Sequence, residues 1–201
     1  MKFKFVFFIT FIILLLLSQR EKINFKDNEE MIPNLKLYKT AFELGYDYIN
    51  SYVISKKNAV MFDIDDTLLY VRENGNNLTL TPIKPIIELL NYCIVKGLVV
   101  IIITARDSIY KDQTINDLNR HSINYSFLYL RKNGEDDINT FKQSVKQYLY
   151  ENHRLKIIMS VGDQNIDVSG SYSGYGIKLP RKGEPKLYIS PNGSQLIEIR
   201  V

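Results

Sequence analysis

Two stretches of this chain are apolar without a break, and they limit the folds open to it more than any other feature. Residues 98–103 read Leu-Val-Val-Ile-Ile-Ile, and residues 59–62 read Ala-Val-Met-Phe. A strand that is apolar at every position, instead of at every second one, has to be covered on both faces. Between them Ile86, Leu89, Leu90, Cys93 and Ile94 mark the buried stripe of a helix that Pro85 opens and Gly97 closes. Strand, helix and strand in that order predict parallel pairing through a crossover. The alternation continues with a helix over 114–120, a strand over 127–130, a helix over 141–150 and a strand over 156–161. Upstream, Leu37, Ala41, Leu44, Tyr48 and Ile49 recur near helical spacing and predict an amphipathic helix within 35–53. Downstream, 187–190 and 196–201 flank Pro191-Asn192-Gly193, a hairpin signal. The expected class is α/β, a Rossmann-like three-layer α/β/α arrangement around a mainly parallel sheet.

A chain of 201 residues with 45% hydrophobic and 24% charged side chains can bury a core of that kind. Its 26 Lys and Arg against 22 Asp and Glu leave +4, too small an excess to select a nucleic-acid partner. The single cysteine, Cys93, excludes an intrachain disulfide framework and a cysteine-built zinc site, and it is read as a core residue.

The first twenty residues stand apart from the fold. Residues 5–17 are apolar but for Thr10, with Lys2 and Lys4 before them and Gln19, Arg20, Glu21 and Lys22 after. That is the layout of a signal peptide or of an uncleaved signal-anchor. As a helix the run would reach roughly 20 Å, short of the ~30 Å hydrocarbon core, which disfavours a firm transmembrane span. The flanking lysines predict a secreted, lumenal or membrane-anchored protein with its folded part outside the cytoplasm. Three sequons, at Asn77, Asn124 and Asn192, are compatible with that route. The expected organisation is a leader over 1–20, a linker over 21–33 and one domain over 34–201, with membrane contact through the leader.

Polar clusters fall where the predicted strands end, which is where open parallel sheets bind ligands. After the first strand comes Asp63-Ile64-Asp65-Asp66-Thr67. Three carboxylates within four positions repel one another and need a cation or a proton to coexist. Alternation turns Asp63 and Asp65 to the same side, so one could attack an electrophile while the other handles the proton. Asp also serves simply as a turn former. With 12 Asp and 8 Thr in the chain, chance would produce some D-x-D-x-T in about 3% of such sequences, even before an apolar run is required in front of it. The second strand ends at Thr104-Ala105-Arg106-Asp107, where a hydroxyl and free backbone N–H groups can hold a phosphate oxygen or cap a helix. Lys142 opens a predicted helix and could stabilise transferred phosphate charge beside the carboxylates. Gly162-Asp163 and, four residues on, Asp167 follow the last strand and could complete an oxygen-ligand metal site.

In order and spacing these clusters resemble the haloacid dehalogenase-like superfamily of phosphotransferases. With Tyr129-Leu130-Arg131 and Lys178-Leu179-Pro180 added, residues 58–180 are similar to the plant and bacterial acid phosphatases related to vegetative storage proteins. The resemblance implies a magnesium-dependent phosphomonoester hydrolase. In it Asp63 is the nucleophile that becomes an aspartyl-phosphate, and Asp65 is the general acid and base. Thr104 and Lys142 bind the phosphoryl group, with Lys142 preferred to Lys132. Asp63, the backbone carbonyl of Asp65, and Asp163 hold Mg²⁺, supported by Asp167. Asp66 stands where the group usually has Glu. The short spans 70–81, with Gly75 near the middle, and 105–126 imply a minimal cap and an open site. The loop over 132–140 also borders the site in this reading. His121 and His153 are assigned no role. Two other readings stand beside this one: a phosphatase acting on nucleic-acid ends or phosphoprotein, and an idle storage or scaffold protein that kept the fold.

Overall fold

The computed structural model describes residues 32–75, 77–132 and 137–200. Helix α1 (Leu35–Ser51) precedes strand β1 (Asn58–Phe62), followed by β2 (Leu69–Asn74), β3 (Asn77–Pro82), α2 (Lys84–Val95) and β4 (Val99–Asp107). Then come α3 (Lys111–Arg120), β5 (Phe127–Arg131), α4 (Ile138–His153), β6 (Lys156–Gly162), the short α5 (Asn165–Val168), β7 (Tyr175–Lys178), β8 (Leu187–Ser190) and β9 (Ile197–Ile199). Seven strands form one sheet in the order β5-β4-β1-β6-β7-β8-β9. The pairs from β5 to β7 are parallel, and β8 and β9 add an antiparallel edge.

The unbroken apolar runs divide their side chains between two cores, as the pleat requires. Val60, Phe62, Val100 and Ile102 pack on one face with residues of α1, α2 and α3, among them Tyr38, Leu89 and Leu118. Ala59, Met61, Ile101 and Ile103 pack on the other face with Val145 and Leu149 of α4. The three expected layers are therefore present. Burying each such Val, Ile or Phe contributes about 1.5–3 kcal/mol. Cys93 lies wholly inside the first core, where burial pushes its thiol pKa up to about 12.

Four details differ from the sequence reading. The 70–81 span is not a plain loop but the β2–β3 hairpin, antiparallel from Leu69↔Pro82 to Asn74↔Asn77. Helix α3 begins at Lys111, three residues before the predicted start. Strand β4 runs on to Asp107 across a break in its register with β5 after Thr104. Strand β7 and helix α5, each four residues long, carry too few positions for a period to show. The expected leader over 1–20, the linker to residue 31 and residues 133–136 of the 132–140 loop lie outside the described residues. Among the described residues no helix is long and apolar enough to cross a membrane. The three sequon asparagines are all exposed.

Candidate active site

From β1 the chain moves to β4 and β5 on one side and returns to β6 on the other, so the order reverses between β1 and β6. Such a switch point opens a crevice at the carboxyl ends of the strands. Phe62 pairs with Val161, and the Asp63 N–H donates to the Val161 carbonyl at 3.1 Å. Asp63 leaves β1 and Asp163 leaves β6 at this point. Their carboxylates and that of Asp167 present oxygens within 4.8 Å of one another, all three buried.

Lys142 enters this cluster from the second turn of α4 and is fully buried. Its Nζ donates to Asp63 Oδ1 at 3.0 Å and to Asp167 Oδ1. The other Asp167 oxygen accepts from the Gln164 N–H at 2.9 Å, capping α5. Gly162 lacks a side chain for a local reason: a Cβ there would overlap the Asp167 carboxylate. One turn further along α4, buried Lys146 meets no carboxylate directly among the described residues. It donates to the carbonyls of Ile166 at 3.1 Å, Asp167 at 2.7 Å and Ser169 at 3.3 Å, and to Ser173 Oγ at 2.9 Å, tying down the segment that carries Asp167. Burial lowers the Lys146 pKa to about 8.

Crowding shows in the acids. Burial, then the charge of Asp167 and Asp163, pushes Asp63 up to about 8 against the pull of Lys142. Burial, then Asp167 and Asp66, pushes Asp163 up to about 7. Lys142 alone does not offset the burial and mutual repulsion of Asp63 and Asp163, and a hard divalent cation on an all-oxygen donor set would. The residues present therefore fit such an ion.

Asp65 lies outside this trio. Its carboxylate is 39% exposed and is gripped bidentately by Arg106, with Nε to Oδ2 at 2.9 Å and Nη2 to Oδ1 at 2.7 Å. Arg106 in turn donates from Nη1 to Asp117 Oδ2 on α3 at 2.9 Å. The register break in β4 follows Thr104 and takes Ala105 and Arg106 out of the ladder, and the Arg106 N–H donates to Thr104 Oγ1 at 3.2 Å. Asp66 has φ +53°, a left-handed conformation that Asp tolerates better than longer side chains, and its carboxylate accepts from the Val71 N–H at 3.0 Å. The β2–β3 hairpin thus rises directly from the acidic loop.

Sequence reasoning had put Asp63, Lys142, Asp163 and Asp167 in one cluster, and the structure places them there. The fold places Thr104 within β4, just before its register break and one strand from β1, and buries it. In the sequence Arg106 stands in a motif with no role of its own, and Asp117 belongs to no motif. The available signal was Asp117 at the buried spacing of Thr114 and Leu118, a charge on an otherwise inward stripe of α3. His153 packs against the rings of Phe127 and Tyr148, away from the acids. A separate cavity of about 580 Å³ lies at the amino ends of β6 and β7, lined by five tyrosines including Tyr48 and Tyr175, and it contains none of the carboxylates.

A family model described as HAD superfamily, subfamily IIIB (acid phosphatase), matches residues 70–193. The matched span takes in Thr104, Lys142, Asp163 and Asp167 and begins just after the Asp63–Thr67 stretch. Among curated proteins there is no sequence match. The class C acid phosphatase from Bacillus anthracis is a similar solved structure at 20% identity and TM-score 0.53, over 72% of this chain and 67% of that one. Its tungstate-bound form is similar at 20% identity and TM-score 0.52, over 72% and 68%. A chain of the Pnkp1/Rnl/Hen1 complex matches at 24% identity and TM-score 0.45, over 54% of this chain, which spans 39% of that one. The class C enzyme shares the fold, and the family model covers well over half of the sequence: the chain belongs to the HAD superfamily, subfamily IIIB, of acid phosphatases.

Proposed function

We propose that this protein is a Mg²⁺-dependent phosphomonoester hydrolase working through an aspartyl-phosphate on Asp63. The observation that carries the reading is the position of Asp63 at the end of β1, beside Asp163 and 3.0 Å from Lys142. Asp63, Asp163 and the backbone carbonyl of Asp65 would hold the ion, with Asp167 fixing Lys142. When bound, Mg²⁺ neutralises the crowded carboxylates and the charge on the phosphoryl oxygens.

In the first step an Asp63 carboxylate oxygen attacks phosphorus and the ester P–O bond breaks. The leaving alkoxide takes a proton from Asp65, which Arg106 aims. Thr104 and Lys142 bind the phosphoryl oxygens as they pass through the planar arrangement. In the second step Asp65 takes a proton from a water that attacks phosphorus. The acyl-phosphate P–O bond breaks, returning Asp63 as carboxylate and releasing inorganic phosphate. The exposed sequons fit an extracytoplasmic location, the place the leader predicts.

The test is phosphate release from p-nitrophenyl phosphate by residues 21–201 with Mg²⁺. Asp63→Asn, which keeps the shape but removes the nucleophile, should leave no turnover above background. Equal activity in parent and variant would end the proposal.

A further inference from the structure

The turn after β7 stands beside the acids and carries two cations that the mechanism does not use. Lys178 pairs with Gly162, and the Leu179 N–H donates to the Gly162 carbonyl at 2.8 Å, so the chain leaving β7 passes next to Asp163. The Pro180 carbonyl accepts from the Tyr38 hydroxyl at 3.0 Å, which fixes the start of the turn on α1. Arg181 and Glu184 then exchange backbone hydrogen bonds at 3.1 and 3.0 Å, and Gly183 supplies φ +83° between them. The Glu184 carboxylate is committed elsewhere: it accepts from Lys178 Nζ at 2.7 Å and from the Tyr188 hydroxyl at 3.1 Å. The Lys178 amine also lies 4.7 Å from the Tyr188 ring centre. Backbone bonds across the turn and the Glu184 contacts with Lys178 and Tyr188 thus hold it to β7 and β8.

Arg181 and Lys182 ride on that turn, both exposed. Among the described residues neither side chain forms an ion pair or a hydrogen bond. Their charges reach the site through space, opposing the burial that raises Asp66, and in the case of Arg181 also that of Asp163. The inner cations, by contrast, are each occupied, Lys142 between Asp63 and Asp167 and Arg106 between Asp65 and Asp117. Arg181 and Lys182 thus stand at the edge of the acidic site, near Asp66 and Asp163, and two such exposed cations favour a substrate with negative charge there.

We propose that Arg181 and Lys182 read a second anionic group on the substrate, so that the preferred class is phosphomonoesters with another carboxylate or phosphate remote from the scissile one. This rests on the phosphomonoesterase reading above. The rival is that the two cations merely balance the acid excess of the site, which would affect all substrates alike.

The test compares glucitol 6-phosphate with 6-phosphogluconate, two open-chain esters that share the scissile bond and differ by a hydroxymethyl against a carboxylate at the far end. The intact protein should favour 6-phosphogluconate several-fold in kcat/KM, through KM, and lose that preference as salt rises. Arg181→Ser combined with Lys182→Ser should bring the ratio of the two kcat/KM values to about one, as high salt does for the parent. A parent that turns over both esters without preference overturns the proposal alone, as does a double variant whose ratio equals the parent's. A parent that hydrolyses neither ester nor p-nitrophenyl phosphate overturns the phosphomonoesterase reading, and this proposal with it.

Discussion

The contact between Asp65 and Arg106 decides how a half-exposed carboxylate can keep one orientation. A lone Asp at 39% exposure would sample several rotamers, whereas a guanidinium fork fixes both oxygens at once. Asp117 extends the arrangement to α3 and restrains Arg106 from behind. Replacing Asp117 by Asn keeps the volume but weakens that restraint. Phosphate-release kinetics should show kcat reduced about tenfold with KM little altered, a fraction of the ~10²–10⁴ that a well-placed general acid supplies. A change confined to KM would show that Asp117 acts on substrate binding instead. Asp63, Asp163 and Lys142 were legible in the sequence because each stands at the end of an apolar run or the start of a periodic one. The Asp65–Arg106 pair was not, since it joins positions 41 apart and depends on the register break that turns Arg106 inward.

At the scale of elements, the segment from Gly162 to Gly170 is held from one side by α4. Lys142, Gln143 and Lys146 lie on adjacent turns of one helix face and grip, in turn, a carboxylate, two carbonyls, and a further set of carbonyls. Order in Asp167 is thus supplied by a helix, and Gly162 leaves the room for it. Gly162→Ala should displace the Asp167 side chain and cost about 1–3 kcal/mol, the range for an overpacked buried site. Thermal melts should show both a lower Tm and a smaller rise on adding Mg²⁺; a normal Mg²⁺ response would mean that Asp167 has no part in holding the ion. Strand β6 before this segment and helix α4 against it were readable from periodicity. Helix α5 inside it and strand β7 after it were not, because elements of four residues are fixed by tertiary hydrogen bonds that no local pattern records.

Across the whole molecule, the raised acids couple stability to pH. Asp63 and Asp163 release their protons near 3.8 when unfolded but only at about 8 and about 7 in the fold. Between about pH 4 and 7 the folded chain therefore holds protons that the unfolded chain has lost, and the stability these groups contribute falls as pH rises. A bound divalent cation favours the ionised forms and offsets the loss. Chelator-treated protein should melt lower at about pH 7.5 than at about pH 5.5, and Mg²⁺ should raise Tm more at the higher value. An equal Mg²⁺ increment at both would contradict the coupling. The order of the strands also bears on biosynthesis. Asp63 and Asp163 stand a hundred positions apart on neighbouring strands. A nascent polypeptide that has released β1 but not β6 from the ribosome lacks the second carboxylate of this pair, so the acidic cluster assembles only after β6 has emerged and docked beside β1.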